Sequence, residues 1–227
     1  LATAERFDDE IDPAILDYEG ATYFANIILP YAPLVTKLVN RVASSGMTFK
    51  FIAPDHGPIW RRDIPGVIAN YSRWAAQKPT MKSVVVYGTM WHSTERMARA
   101  ICEGLAAAGA AAKCMSMEVF HRSDVVYEVL DAGALIVGSS TLNNNMLPQV
   151  ADVLTYLKGL RPANLLGASF GSYGWSGEAA VHIADILKEM KVSPVAEPLK
   201  AQHVPTREDL RKCYALGEEI ARKLGEK

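Results

Sequence analysis

From residue 83 onward, short apolar runs alternate with longer segments of helical period, and this alternation restricts the possible folds more than any other feature of the chain. Residues 83–87 form a β-branched run, 93–108 read as helix, 113–117 as a short strand, 123–130 as helix and 134–137 as strand. The series continues with helix over 148–160, strand over 165–170, helix over 177–190, a Pro-flanked strand near 195–202 and a last helix from 206 to about 223. Strands that are continuously apolar and separated by helices belong to a parallel sheet covered on both faces. Ser93 and Thr206 read as N-caps, with acids at Glu95, Glu208 and Asp209 in the first turns, and Met97, Ile101 and Leu105 form an apolar stripe. Five strands and five helices in about 145 residues fit a doubly wound α/β domain with strand order 2-1-3-4-5.

Composition excludes several other classes. Hydrophobic residues make up 49% of the 227 positions and charged residues 22%, which is a globular balance. Lys and Arg number 24 against 25 Asp and Glu, with no long block of one sign, so a nucleic-acid partner is not expected. No apolar run reaches the roughly 18 residues of a membrane span, and no signal peptide opens the chain, so the expectation is a soluble, cytoplasmic protein without membrane contact. Cys102, Cys114 and Cys213 are isolated and form no C-x-x-C, which argues against a disulfide framework or a thiolate metal knuckle.

A polar, Pro-containing stretch at 75–82 reads as a linker. Ahead of it lie a helical region over 22–42, a strand at 49–53 and a second helix near 63–77, too little to close a sheet around its own core. The chain also lacks an initiating Met, so Leu1 is expected to be an internal residue of a longer polypeptide.

In open parallel sheets, ligands bind beyond the carboxyl ends of the strands, where strand order reverses. Three loops fall there. The first, Gly88-Thr89-Met90-Trp91-His92-Ser93-Thr94-Glu95, opens into a helix and offers hydroxyls, amides and the positive helix end to a phosphate. It has neither the Lys of a Walker loop nor a G-x-G-x-x-G, and a phosphate held by hydroxyls and amides alone is how a flavodoxin holds FMN. Ser93 is equally readable as a simple N-cap. The second loop, Gly138-Ser139-Ser140-Thr141-Leu142-Asn143-Asn144-Asn145, sets donors and acceptors where an isoalloxazine edge needs them; three consecutive Asn are equally turn residues in left-handed conformation. The third contains Gly171-Ser172-Tyr173-Gly174-Trp175-Ser176-Gly177, in which Tyr173 and Trp175 offer a flat apolar wall among glycines. Their joint occurrence at three topologically correct positions points to FMN.

These words resemble those of the flavodiiron proteins, also called A-type flavoproteins, close to the rubredoxin:oxygen oxidoreductases. The resemblance is carried by Thr89-Met90-Trp91-His92-Ser93-Thr94-Glu95, by Asn143-Asn144 with Leu147-Pro148, by Lys158-Gly159-Leu160-Arg161-Pro162 and by Gly171-Ser172-Tyr173-Gly174-Trp175-Ser176-Gly177-Glu178. In front of the linker it extends to Ala25-Asn26-Ile27, to Pro30-Tyr31-Ala32-Pro33 and to Ala53-Pro54-Asp55-His56-Gly57-Pro58-Ile59-Trp60-Arg61. It implies a flavodoxin-like FMN domain over 82–227, preceded at 1–77 by the C-terminal segment of a metallo-β-lactamase-like αββα domain that carries a non-haem diiron site. The implied flavin contacts are Thr89, Met90, Trp91, His92, Ser93, Thr94, Thr141, Leu142, Asn143, Asn144, Ser172, Tyr173, Gly174 and Trp175. Ser140 and Leu142 stand where many relatives carry Pro and His.

His56 matches the family's last iron-binding histidine, and a Pro- and Gly-framed turn after a strand is a rigid place to present an imidazole. The family's other metal ligands, an H-x-E-x-D-H motif, a further His and a bridging Asp, are not in this sequence, so the 227 residues do not make a complete diiron centre. Asp55 reads either as an acceptor for the imidazole or as a turn residue, and either Tyr23 or Phe24 matches a tyrosine near the pocket. His121 reads as a surface or capping residue and His182 as helix packing. The resemblance implies that electrons from rubredoxin or another donor pass through FMN to iron, where O2 is reduced to water or NO to N2O, in a head-to-tail homodimer or a tetramer of dimers. A stand-alone flavodoxin-like carrier or scaffold is the alternative.

Overall fold

A computed structural model describes residues 4–226, and the expectation about Leu1 lies outside the described residues. The chain forms two compact units that divide between Gln77 and Lys78.

The larger unit is a parallel sheet. Strands β1 (Lys82–Gly88), β2 (Ala111–Ser116), β3 (Ala134–Ser139) and β4 (Leu166–Tyr173) are followed by two short pieces, β5 (Ser193–Pro194) and β6 (Leu199–Gln202), that both pair with β4. The order β2-β1-β3-β4-β5 is the doubly wound arrangement that the alternation predicts. Every residue of β3 is buried, and all but one end residue of β1 and β4, as a sheet covered on both faces requires. Helices α4 (Ser93–Ala107) and α8 (Arg207–Gly225) pack together on one face, while α5 (Arg122–Val129), α6 (Pro148–Leu160) and α7 (Glu178–Glu189) follow one another on the other. Gly104 and Gly217 permit the close α4/α8 approach: a Cβ at Gly104 would lie 2.0 Å from the Tyr214 carbonyl oxygen, and one at Gly217 would lie 2.2 Å from that of Ile101. Thr206 caps α8 through a reciprocal pair of bonds with Asp209, as expected.

The last strand differs from the single run expected at 195–202. Residues 195–198 leave the ladder between β5 and β6, opposite only Ala168 and Ser169 of β4. Pro198 has no N–H to donate to the ladder, and Pro194 lacks one just before the excursion.

In the smaller unit, α1 (Pro13–Tyr23) and α2 (Ala32–Ser45) are separated by a π turn at Phe24–Ile28 and a 3-10 turn at Leu29–Tyr31, so the helix expected over 22–42 is broken. Pro30 lies at the break, where its missing N–H and its clash with the preceding turn stop α-helical bonding. The helix α3 (Ile64–Ala76) is capped by Asp63. The strand expected at 49–53 is absent: Ile52 makes a single bridge to Trp60, and Phe49 and Phe51 are exposed. A strand needs a ladder partner, and none of the described residues supplies one beyond that bridge. Phe24 is fully buried against Tyr71 and Trp74. No helix among the described residues is long and apolar enough to cross a membrane.

Candidate functional site: three joined loops

The loops after β1, β3 and β4 meet at the carboxyl end of the sheet. The Ser140 N–H donates to the Gly88 carbonyl (3.2 Å), the Thr141 N–H to the Ser172 carbonyl (2.9 Å) and the Met90 N–H to Ser140 Oγ (3.3 Å). Beneath them the hydroxyls of Thr94, Ser140 and Ser172 form a triangle with sides of 3.0, 2.8 and 3.3 Å, one hydroxyl from each loop region. All three residues are buried. Three hydroxyls supply three protons and six lone pairs, so the triangle is internally satisfied and rigid, and a phosphate that takes the Thr94 hydroxyl exchanges it for one of these bonds.

Ser93 is not the N-cap. His92 occupies that position at φ 62°, with no side-chain capping bond, and Ser93 is the first residue of α4. Its half-buried hydroxyl makes no hydrogen bond among the described residues, so the simple capping reading fails. The first-turn N–H groups of α4 lack intrahelical acceptors, as in any helix, and face the same end. Thr89 Oγ1 is buried without a partner, which marks a place where a ligand acceptor or water is wanted. Glu95 puts an anion in this turn, but His92 Nδ1 (2.7 Å) and Arg99 (2.6 Å) hold it. The bond from His92, then those from Arg99, keep its carboxyl below the usual range and offset its repulsion of a phosphate.

The second loop is a tight reversal. Leu142 and Asn145 exchange both backbone bonds (2.8 and 2.9 Å) around Asn143 and Asn144, at φ 49° and 57°. Two successive left-handed residues form a type I′ hairpin, so these two exposed Asn serve turn geometry. Thr141 and Leu142 are half-buried beside it. Asn145 carries a role that its position in the run does not reveal: its Oδ1 accepts the Met146 N–H (2.8 Å) and meets His182 Nδ1 (3.2 Å). His182 is thus a polar tie between α7 and the hairpin, not simple packing. His121 caps α5, its Nδ1 accepting the Ser123 N–H.

Around this polar floor stand apolar rings. Trp91 is 83% exposed, Trp175 97% and Met90 45%, an unusual concentration of bare apolar surface; Tyr173 and Gly174 are half-buried. A hydroxyl and amide floor at a helix N-terminus, an unpartnered buried Thr89 oxygen and flanking aromatics are groups of the kind that FMN would need.

In the smaller unit His56 is exposed, and its ring lies 5.8 Å from that of Tyr23. Of the two aromatics considered, Tyr23 stands beside His56, while Phe24 turns into the core. Asp55 is exposed. The back of this turn is fixed by Asp8, whose buried carboxylate accepts the N–H groups of Arg61, Arg62 and Asp63. Among the described residues no three His, Cys, Asp or Glu side chains gather around a metal position, so the residues here do not by themselves fit a diiron centre.

A sequence model of the flavodoxin family matches residues 85–217. The nitric oxide reductase of Moorella thermoacetica is 44% identical over 227 residues, which is 100% of this chain and 57% of that protein. The rubredoxin oxygen:oxidoreductase from Desulfovibrio gigas aligns structurally at a TM-score of 0.96 and 42% identity, over 100% of this chain and 57% of that one. The flavodiiron protein from Giardia intestinalis aligns at 0.92 and 30% identity, over 99% and 56%. The chain therefore spans little more than half the length of these relatives. It belongs to the flavodoxin family, and throughout its length it is similar to proteins named as oxygen and nitric oxide reductases.

Proposed function

We propose that this chain is the flavin-bearing part of a flavodiiron oxidoreductase, taking electrons from rubredoxin or a similar donor for the reduction of O2, NO or both. The observation that carries the reading is the joined trio of loops, with its hydroxyl floor and unpartnered Thr89 oxygen, on a chain similar along its whole length to reductases of these two gases. FMN bound there would accept and release electrons singly, which suits exchange with iron partners. The residues' part is to hold it. The α4 N-terminus and Ser93 bind the phosphate, the Arg99–Glu95–His92 group keeps that end from becoming anionic, and the Trp91 and Trp175 faces exclude water from the ring system.

In the same reading, residues 1–77 are the C-terminal segment of a metallo-β-lactamase-like domain and His56 is one ligand of a metal centre whose remaining ligands lie in sequence beyond this chain. The exposed Leu34, Leu38, Phe49 and Phe51 support this, because a complete domain would cover such surface. The proposed protein is cytoplasmic and works as a head-to-tail homodimer or a tetramer of dimers.

Two measurements test the reading. A Ser93→Ala/Thr94→Ala double variant should hold FMN at least about 100-fold more weakly, since two hydrogen bonds to a charged group at ~1.5–3 kcal/mol each sum to ~3 kcal/mol or more; an unchanged affinity defeats the phosphate assignment. Native material should contain about two irons per flavin on a longer polypeptide. Flavin without iron leaves an electron carrier only.

A further inference from the structure

The Asn hairpin belongs to the second of the three joined loops, and among the described residues two hydrogen bonds carry residues 141–146 to other elements. One lies at the outgoing end, from the Thr141 N–H to the Ser172 carbonyl at 2.9 Å. The other lies at the returning end, where Asn145 Oδ1 meets His182 Nδ1 at 3.2 Å. His182 is half-buried on α7, the helix that opens directly after the third loop and packs on β3 and β4 through the buried Ala179, Ala180, Ile183 and Leu187. With the first bond alone the hairpin would be free to swing about Thr141. With both, its two ends are held to two elements.

The chemistry of the second bond fixes its proton. A backbone N–H can only donate, so the Asn145 atom 2.8 Å from the Met146 nitrogen is the amide oxygen and not the amide nitrogen. An amide oxygen can only accept, so the proton in the 3.2 Å contact sits on His182 Nδ1. Neutral His182 is thereby the Nδ1–H tautomer, with the lone pair on Nε2.

We propose that His182 is a positioning residue for the flavin-binding hairpin: as the Nδ1–H tautomer it donates to Asn145 and holds the returning end of the turn to α7. The three Asn then divide the work. Asn143 and Asn144 supply the left-handed turn, and the single Asn145 oxygen joins that turn to the Met146 amide and to His182. The effect on flavin rests on the FMN reading; the tautomer and the tie do not.

The test begins with the native chain at about pH 8.5, where imidazoles are neutral. Long-range proton–nitrogen spectra should show the His182 proton on Nδ1, whereas a free imidazole favours Nε2. His182→Ala should speed hydrogen exchange at the Leu142 and Asn145 N–H groups, which close the turn, by about 3- to 10-fold, and FMN release by a similar factor. His182→Asn, whose amide N–H stands where Nδ1 does, should restore most of the protection. His182→Gln, whose amide falls at Nε2, should not. A proton on Nε2, exchange unchanged in His182→Ala, or His182→Asn no better than His182→Gln overturns the proposal, and the native tautomer decides if a variant fails to fold. Faster exchange with FMN release unchanged overturns the flavin-positioning role. A chain that holds no FMN yet shows the tautomer and the exchange changes keeps the tie and defeats the flavin reading instead.

Discussion

Asp8 is 2% exposed, and its carboxylate accepts the backbone N–H groups of Arg61 (2.9 Å), Arg62 (3.2 Å) and Asp63 (2.9 Å). These bonds fix the end of the turn that carries His56, beside the bridges of Phe7 to Ile59 and of Ile52 to Trp60. Asp8→Ala strands three donors. A hydrogen bond to a charged group contributes ~1.5–3 kcal/mol, and once the buried carboxylate is gone water can reach the freed N–H groups of the exposed Arg61, Arg62 and Asp63, so the local cost should be about 3–5 kcal/mol. At 1.4 kcal/mol per decade, the amides of residues 61–63 should exchange with deuterium at least about 100-fold faster. Asp9→Ala is the control: Asp9 pairs with Arg61 at 2.9 Å in an exposed salt bridge, and its loss should cost under ~1 kcal/mol. If Asp8→Ala changed exchange by less than about threefold, or no more than Asp9→Ala, the anchoring argument would be wrong. Acid gives a second readout. Burial alone would raise the Asp8 pKa, but the three backbone donors, with the Arg62 charge, together lower it below its ordinary 3.8. A depressed folded pKa means that the anchoring is complete above the unfolded value and is lost as pH falls through the folded one. Protection at 61–63 should therefore decay in acid below 3.8 in the native chain and show no such dependence in Asp8→Ala.

Two further outcomes follow from backbone geometry. Gly104→Ala would set a Cβ 2.0 Å from the Tyr214 carbonyl oxygen, forcing α4 and α8 apart; a loss of ~2–4 kcal/mol in urea unfolding is expected, and a midpoint unchanged from the native chain would refute the packing argument. Asn144 at φ 57° should accept Gly with little change, whereas Val there should cost about 1–2 kcal/mol, measured in the same titration.

The sheet and its helices were legible because burial on both faces writes itself into sequence as unbroken apolar strands and striped helices. The helix at Pro148–Leu160 has the bounds that the sequence predicts. What depends on a distant partner was not legible. Strand β4 runs past Phe170 to Tyr173 because β6 pairs with that extension. Phe49 and Phe51 look like strand residues, but β propensity without a ladder yields no strand. At the candidate site the residue types were readable and their connections were not. Thr94 meets Ser140 and Ser172 across 46 and 78 residues, and His182 reaches Asn145 across 37. The left-handed cap at His92 carries no sequence signal of its own, so Ser93, an ordinary capping residue type, was the natural misreading.

The excursion at residues 195–198 has a consequence for how the molecule behaves in a crowded solution. An intact outer strand would present a continuous ladder of unpaired N–H and C=O groups, a template on which a foreign strand can dock and seed aggregation. Here that margin is cut into a two-residue and a four-residue piece, with Pro194 and Pro198 removing donors at the break. Recruitment would have to use the opposite margin, β2, where the Lys113 ammonium, held 3.0 Å from Glu128, places charge on the exposed strand. The sheet is thus guarded at one edge by interruption and at the other by charge, both of which disfavour the docking of a foreign strand.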